Sequence, residues 1–551
     1  MARKKTFSAA LLAVMIISIL ICALSVNTHA ANLPEKYETA SKTPVLDQKN
    51  NPLCWAYSGS DLLSINAVKN GYGENGASVF SAPMLARAEF DGNEHRYAKN
   101  VWYKCYGGVD YAFMAATTGK GLASASKYPT VTAANNASVS ELYPNMAYVD
   151  ALRMIDTTET DRKQRTQTVK EWIYKYGAVS TDLFVGEYNK VTGIAKIQPY
   201  DNTKAAHAVL LVGWDDTKYT DTGTGAFLMK NTWGEGWGNG GYAWISYNSE
   251  FGRHMYAANV TVDYDARVMT HTEICYLSGS NASASGGEYG AVNVFDVKEK
   301  LTLKYAGAFT GEPDSEIEVR VWINLSDVNG VKTKTPDAKA KASCTQSEFY
   351  TLTLDKQLNV KKGDTVTALY LIKADGKYRT YSEYSDPDFE MAVTSSKSGQ
   401  SYTLSGGELK TPKGNYIGTV IGFAEHTEPP VTTPPETKPP VTDPPETKPP
   451  VTDPPVTNPP KTDPAETTDE GIIIMTDTEE QTEDTAVIVP VVTDDDTTAE
   501  TVTVGSETDG ADVIGAAKKV LKTVLIIAAV VVVLFIILIL ALIAASKRKK
   551  V

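Results

Sequence analysis

Two long apolar runs lie near the ends of the chain, and shorter periodic runs lie between them. The first, residues 9–24, follows a basic start at residues 3–5 and precedes Thr28-His29-Ala30. This order predicts a secretory signal peptide over residues 1–30, cleaved after Ala30. An uncleaved anchor helix is the alternative, but the short apolar run and the cleavage site that follows it favour the signal peptide.

The second apolar run, residues 524–545, carries no charge and is long enough to cross the ~30 Å hydrocarbon core of a bilayer as a helix. A basic tail, residues 546–551, follows it. Because positive charge stays on the cytoplasmic side, we expect a single-pass protein of the cell membrane, with its N-terminal ectodomain outside. The membrane is therefore one predicted partner.

Two segments without a core-forming pattern precede this helix. Residues 427–461 contain seven Pro-Pro pairs in a Pro-Pro-x-Thr-x repeat, which excludes helix and sheet and predicts an extended stalk of about 100 Å. Residues 462–517 contain 16 Asp and Glu and no Lys or Arg, so we expect a disordered, Thr-rich acidic linker. Pro-rich runs also bind aromatic grooves, but the position before a membrane helix favours a spacer.

Two folded units are expected between the signal peptide and the stalk. In residues 31–265 the spacing of apolar residues is helical in one part and strand-like in others. A helical pattern runs from Cys54 to about Lys69 and ends at Asn70-Gly71, and strand patterns cover residues 205–214 and 226–234. Both helix and strand patterns therefore occur in this unit.

The second unit, residues 266–426, has short alternating runs at 301–309, 316–323 and 364–372, separated by turn residues. This spacing predicts an antiparallel, all-β sandwich.

Composition narrows the function classes. The 551 residues carry a net charge of −13, which argues against a nucleic-acid partner because phosphate binding needs a basic surface. Most of this acidity lies in the linker. Five cysteines are too few for a disulfide framework, although Cys275 and Cys344 could pair in an oxidising compartment, and the sequence leaves that open.

One cysteine lies at the start of a predicted helix, a position that changes the acidity of a thiol. Cys54 begins the predicted helix, and a helix N-terminus favours an anion, so we expect its thiol pKa to be lowered. His207 lies near the start of a later strand, and Asn231 ends another. A cysteine with a distant histidine and asparagine is typical of a nucleophile, a base and a residue that orients the base.

These residues resemble the papain-like cysteine peptidases over about residues 40–262. Gln48 stands six residues before Cys54, as the oxyanion-hole glutamine of that family does. Further matches are Trp55 after the nucleophile, His207 in Ala-His-Ala-Val, Asn231 and Trp233 in Asn-Thr-Trp-Gly, and Gly107-Gly108, which resembles the stretch that pairs with the substrate backbone.

The resemblance implies a two-lobed α+β catalytic domain that cleaves a polypeptide substrate without a metal or other cofactor. Cys54 would attack the carbonyl, His207 would act as base, Asn231 would orient it and Gln48 would stabilise the oxyanion. Gly107, Gly108, Ala206 and Trp233 would contact substrate or border the site, and Asp182 is expected to face the main specificity pocket. Four histidines outside the motif show no spacing typical of a metal site.

The sequence also departs from the family pattern. Asn51 replaces a cysteine that often precedes the nucleophile, so Cys105 loses the partner that the resemblance implies. The short segment between the predicted cleavage site and Gln48 has no room for the usual inhibitory propeptide. We therefore expect an enzyme that is active without propeptide removal.

The β unit resembles, more diffusely, the lectin-like sandwich that follows papain-like domains in some bacterial surface peptidases. A glycan or another cell-surface ligand is the partner this implies, and a spacer or substrate-positioning role is the alternative. The signal peptide, stalk and basic tail are typical of a Gram-positive-type bacterial surface. Alternative functions are a surface adhesin with an inactive or secondary peptidase domain, and transpeptidation.

Overall fold

The computed structural model describes residues 33–425, except 91–101, 105, 159, 202–203, 273–276, 284–286, 384–396 and 413. The predicted signal peptide, stalk, acidic linker, membrane helix and basic tail lie outside the described residues, as do Cys105 and Cys275. Among the residues that are described, no helix is both long and apolar enough to span a membrane.

The described α-helices lie in the first unit and are α1 (Cys54–Lys69), α2 (Ala82–Phe90), α3 (Val109–Thr117), α4 (Val131–Asn136) and α5 (Arg162–Tyr176). Single 3-10 turns cover Trp102–Lys104, Val139–Leu142 and Val328–Lys332. Helix α1 begins at Cys54 and ends before Asn70, and Gly71 adopts a left-handed φ of 88°, which favours glycine. The predicted bounds of this helix are confirmed.

The described strands of the first unit are β1 (Lys36–Glu38), β2 (Ala147–Asp156), β3 (Val179–Asn189), β4 (Ile194–Gln198), β5 (His207–Thr220), β6 (Gly223–Lys230), β7 (Tyr242–Ser246) and β8 (His254–Val262). Those that follow are β9 (Ala266–Met269), β10 (Leu277–Ser283), β11 (Tyr289–Asp296), β12 (Leu301–Thr310), β13 (Ser315–Ile323), β14 (Ala338–Cys344), β15 (Glu348–Val360), β16 (Thr365–Ala374), β17 (Lys377–Glu383), β18 (Ser401–Ser405), β19 (Glu408–Lys410) and β20 (Gly418–Ala424).

A closed ring of strands supports one side of the first unit. The order β5–β6–β7–β4–β3 returns to β5, because β3 and β5 also pair with each other. The buried side chains of Trp214, Phe227 and Met229 belong to its apolar cluster, together with Trp172 and Ile173 of α5. This ring fixes β5 and β6, the strands that carry His207 at one end and lead into Asn231 at the other.

Helix α1 is buried along most of its length and packs on this ring. The Ser58 hydroxyl lies 2.7 Å from the Ser180 hydroxyl and donates to the carbonyl of Val209 at 3.0 Å. Hydroxyl–carbonyl bonds of this kind satisfy polar groups where the helix meets the sheet. They hold the helix that begins at Cys54 against the strands that follow His207.

A buried ion pair joins the same parts less than one turn further along α1, at Asp61. Lys230 Nζ lies 2.7 Å from Asp61 Oδ2, and both side chains are 2–3 % exposed. Lys230 also donates to the Thr43 hydroxyl at 2.6 Å and to the Pro44 carbonyl at 2.9 Å. Buried charges persist only when they are paired and hydrogen-bonded in this way. The network ties α1 to the residue before Asn231 and to the segment that leads to Gln48.

Strands β9–β20 form the second unit, in which no α-helix occurs among the described residues. Strands β15, β12, β20 and β9 continue the sheet of the first unit, and the other eight form a separate sheet around β16. Apolar side chains of β12 and β13 share one buried cluster, which places the core between the sheets. The predicted α+β order and the all-strand second unit are confirmed.

Main-chain pairing links the two units directly. Strand β15 pairs antiparallel with β2 from Glu348 opposite Arg153 to Tyr350 opposite Ala151. The Thr351 hydroxyl donates to the Val149 carbonyl at 2.8 Å. The second unit therefore extends a sheet of the first.

Candidate active site

Cys54 occupies the first turn of α1. The N-cap residue, Leu53, is buried and offers no side-chain cap. The sulfur accepts hydrogen bonds from the backbone N–H groups of Ala208 and Trp55. Because Ala208 follows His207 in β5, this bond brings the thiol to the start of the strand that carries the imidazole.

His207 and Asn231 are joined by a short hydrogen bond. The His207 Nε2 and Asn231 Oδ1 atoms are 2.7 Å apart. Asn231 is 1 % exposed, and its Oδ1 also accepts from the Thr232 backbone N–H at 2.7 Å. The indole of Trp233 stacks on the imidazole, with ring centroids 4.3 Å apart and an interplanar angle of 23°. The ring is thus held by its edge and covered on one face.

Gln48 is fixed to the segment that carries Asn231. Its Oε1 accepts from the Thr232 hydroxyl at 2.6 Å, and its backbone N–H donates to the Thr232 carbonyl at 2.9 Å. Its Nε2 donates one hydrogen bond, to the Asn51 carbonyl at 2.9 Å. An amide nitrogen carries two hydrogens, so a second donor is left on this buried side chain.

Gly107 lies beside the indole that follows the cysteine, and Gly108 lies against the Asp110 carboxylate. A Cβ on Gly107 would stand 2.7 Å from Trp55 Cε2 and 2.9 Å from Tyr111. Only glycine lets the backbone approach the buried indole this closely. Ala206 is half-buried in the loop immediately before His207. The structure thus brings Gln48, Cys54, His207, Asn231 and Trp233 into one contact network, which Gly107 adjoins through Trp55.

We also searched the described residues for clusters of side chains that could bind a metal ion. The described residues contain no group of three or more His, Cys, Asp or Glu side chains that could hold a metal ion. What the arrangement offers is a thiol, an imidazole held by an amide, and a buried amide donor.

Comparison with known families identifies this arrangement. A model described as the papain family cysteine protease matches residues 33–262, and a model described as a lectin like domain matches residues 273–411. Residues 33–262 are a papain-family cysteine protease domain. A lectin-like domain follows it in the chain.

Two relatives align with the protease domain at modest identity. A cysteine protease of Blomia tropicalis is 26 % identical over 245 residues, which span 43 % of this chain and 67 % of that protein. Ananain of Ananas comosus is 25 % identical over 219 residues, which span 39 % of this chain and 56 % of that protein. The likeness is therefore one of domains, and it leaves most of this chain outside the alignments.

One solved structure resembles both domains together. The crystal structure of the cysteine protease and lectin-like domains of Cwp84, a surface layer associated protein of Clostridium difficile, superposes with a TM-score of 0.56. The match covers 72 % of this chain and 90 % of that chain at 18 % identity. At this identity the likeness is one of fold, and it extends through the protease domain into the lectin-like domain.

The electrostatics of the protease domain differ from the expectation for Cys54. Burial raises the pKa of its thiol, and the charge of Asp182 raises it further. The backbone N–H groups at the helix start act in the opposite direction, but burial outweighs them. A helix N-terminus alone was therefore a poor guide to the resting pKa.

The pKa of His207 is also shifted towards the uncharged form. Burial lowers the pKa of its imidazole to about 4, and the hydrogen bond that the imidazole donates to Asn231 Oδ1 opposes the shift. Both shifts favour the uncharged thiol and the uncharged imidazole in the resting protease domain. The base is thus unprotonated at neutral pH and ready to accept the thiol proton.

Three residues near the site carried no sequence signal of their own. Asp110 in α3, Tyr200 after β4 and Tyr256 in β8 are brought next to Asp182 by the fold. Asp110 follows Gly108 by two positions, which is the one cue that could have drawn attention to it.

Proposed function

We propose that the protein is an extracellular cysteine endopeptidase that hydrolyses peptide bonds of a polypeptide substrate. Cys54 is the nucleophile, His207 the general base and acid, Asn231 the residue that orients the imidazole, and Gln48 an oxyanion donor. The observation that carries this proposal is the 2.7 Å bond between His207 Nε2 and Asn231 Oδ1, beside a thiol bound by the N–H of Ala208.

The first chemical step couples proton transfer to attack. The thiol proton of Cys54 passes to His207 as the sulfur forms a bond to the substrate carbonyl carbon. The oxygen becomes an oxyanion, which the Cys54 backbone N–H and the second hydrogen of Gln48 Nε2 stabilise. The bond of Asn231 keeps the imidazolium in place while it carries the extra proton.

The second half of the reaction releases the two products. His207 donates its proton to the leaving nitrogen as the C–N bond breaks, which leaves a thioester on Cys54. Water then loses a proton to His207 and attacks the thioester, and the proton returns to the sulfur. Capture of the thioester by an amine instead of water is the transpeptidase alternative.

We further propose that the protease domain works at a cell surface. The apolar runs at residues 9–24 and 524–545 support export and a single-pass anchor, and the Pro-rich and acidic segments support a tether. The similarity in fold to Cwp84, described as surface layer associated, agrees with this location. Protease treatment of intact cells should remove the ectodomain, whereas an intracellular location would protect it.

A binding role for the second domain rests on its match to a lectin like domain model. We propose that it recognises a glycan or another surface ligand and keeps the protease domain near its substrates. Glycan-array binding by the full chain that survives Cys54→Ala would support this role. Absence of binding would leave the domain as a spacer.

Covalent labelling tests the proposed nucleophile. A thiol-reactive epoxysuccinyl probe should modify the full chain at Cys54, and Cys54→Ala should remove the label. The matched control is Cys344→Ala, because Cys344 is buried in the lectin-like domain. Equal labelling of Cys54→Ala and the unchanged protein would contradict the assignment.

A further inference from the structure

Two carboxylates that the proposed reaction does not use, Asp182 and Asp110, lie close enough to interact with each other, and the charge of Asp182 also acts on the nucleophile. Asp182 in β3 pairs with Ala208 in β5, so it stands across the sheet from the residue whose N–H binds the Cys54 sulfur. Paired residues of neighbouring strands share a face of the sheet, and the Ser180 side chain, two positions earlier, touches α1. Asp182 thus faces the helix that begins with Cys54.

The second carboxylate reaches the same place from the opposite side. Asp110 lies in the first turn of α3, two residues after Gly108, and a Cβ on Gly108 would stand 2.1 Å from its Oδ1. Phe113, one turn further on the same face of α3, packs on the ring of Tyr256 with centroids 5.3 Å apart. Gly252 leaves the matching space beside Asp182, where a Cβ would stand 2.0 Å from the carboxylate.

A buried phenol lies between these carboxylates. Tyr256 is 5 % exposed and pairs with Ser180 in the sheet. Burial raises the pKa of its hydroxyl, and the charges of Asp110 and Asp182 raise it further. Its hydroxyl has no hydrogen-bond partner among the described residues. Tyr200 approaches from another side and donates to Asp182 Oδ2 at 2.6 Å. Two hydroxyls and two carboxylates therefore converge around Asp182, whose charge also reaches the Cys54 thiol.

The two carboxylates have no positively charged side chain as a partner among the described residues. Neither Asp110 nor Asp182 forms an ion pair with a lysine or arginine among the described residues. Burial raises the pKa of both carboxyls, that of Asp110 to about 6, so the Asp110 carboxyl is still largely ionised at neutral pH. Both residues keep part of their surface accessible. A buried anionic pair with an open side is stabilised by a cation that enters from the cleft.

We propose that Asp110 and Asp182, with Tyr256 behind them, form an acidic subsite that binds a lysine or arginine side chain of the substrate next to the scissile bond. The inference rests on the proposed peptidase activity, because the cleft beside Cys54 then holds polypeptide. A basic side chain supplies the missing cation and donates to the carboxylates and to the Tyr256 hydroxyl. The subsite thus determines specificity and takes no part in bond cleavage.

Peptide cleavage by the purified full chain tests the subsite. Matched peptides carry Lys, Arg, norleucine or Gln at each position around the cleavage site, and kcat/KM is measured for each. We expect one position at which Lys or Arg is preferred by about ten- to a hundredfold. Asp182→Asn and Asp110→Asn should each reduce the ratio of kcat/KM for the basic peptide to kcat/KM for the norleucine peptide, mainly through the KM of the basic peptide. Asp150→Asn is the control, since Asp150 is a similarly buried carboxyl bound by the Thr261 hydroxyl away from the site.

The outcomes separate the two proposals. Loss of all cleavage on Cys54→Ala together with equal rates for basic and neutral peptides would overturn the subsite and keep the peptidase. Cleavage that persists in Cys54→Ala would overturn the peptidase itself. If the asparagine variants do not fold, as judged by their thermal unfolding, the preference of the unchanged protein still decides, because a preference for norleucine contradicts the subsite.

Discussion

At the scale of single residues, Gln48 is the side chain whose role is most sharply defined by its surroundings. Three hydrogen bonds fix it, and one amide hydrogen remains for an oxyanion. Gln48→Ala should lower kcat/KM for peptide cleavage by about 10²–10³-fold, because it removes one oxyanion donor. The control is Gln198→Ala, at an exposed end of β4. A change smaller than about threefold in Gln48→Ala would exclude the oxyanion role.

The shifted histidine gives a pH prediction. Below the pKa of His207 the imidazole is protonated and cannot accept the thiol proton, so activity is lost as the pH falls through that value. Because burial lowers this pKa to about 4, the acidic limb of kcat/KM should lie near pH 4 and well below the ordinary 6.5 of histidine. The measurement is the pH profile for a peptide without titratable groups. An acidic limb at or above pH 6.5 would contradict the structure.

Some of the site residues could be predicted from the sequence and others could not. The order and local motifs of Gln48, Cys54, His207 and Asn231 were enough to select them as candidates, because each lies in a short recognisable stretch. The raised pKa of the Cys54 thiol was not predictable, since it depends on how much of the fold surrounds the sulfur. Asp110, Asp182 and Tyr256 come from three separate elements, so their proximity is a property of tertiary structure alone.

At the scale of elements, the buried pair of Lys230 and Asp61 holds β6 and α1 together. Lys230→Met should destabilise the protein by about 3–5 kcal/mol, because it leaves the Asp61 carboxylate buried without its cation, although the Thr43 hydroxyl still donates to it. The double variant Lys230→Met, Asp61→Leu should recover much of that loss, since neither charge then remains. Thermal and denaturant unfolding of the single and double variants would measure both effects.

The Lys230→Met variant should also affect catalysis. Lys230 precedes Asn231 in the chain, so the single variant should also lower kcat by displacing the amide that holds His207. Lys196→Met in β4 is the control, as that side chain is exposed. Additive effects of the two substitutions on stability would contradict the coupling, because independent sites add and a shared network does not.

The spacing of apolar residues predicted the ends of several helices and strands well. Helix α1 and strands β12, β13 and β16 fall close to their predicted positions, because each has an uninterrupted apolar pattern between turn residues. The pairing of β15 with β2 could not be predicted, since these strands are nearly 200 residues apart and strand register across such a distance leaves no local trace.

At the scale of the whole molecule, this pairing joins the protease and lectin-like domains. The guanidinium of Arg153 lies 4.9 Å from the centre of the Tyr350 ring across the junction. We expect the two domains to unfold in a single calorimetric transition, because main-chain hydrogen bonds continue from one into the other. Two separated transitions would contradict this coupling.

A variant of the junction sharpens that test. Tyr350→Ala should lower the stability of both domains together by about 1 kcal/mol, as it removes the cation–π contact and part of the packing at the junction. Tyr219→Ala is the control, because Tyr219 is 77 % exposed in the protease domain. The Tyr350→Ala and Tyr219→Ala midpoints, compared by calorimetry, give the difference directly.

The most direct measurement of the central claim is peptide-bond hydrolysis by the purified full chain, compared with Cys54→Ala and Asn231→Ala. We predict measurable kcat/KM on a peptide library for the unchanged protein, no detectable cleavage for Cys54→Ala, and a loss of about ten- to a hundredfold for Asn231→Ala. Identical cleavage by all three proteins, or none by the correctly folded unchanged chain, would contradict the assignment of a Cys54–His207–Asn231 peptidase.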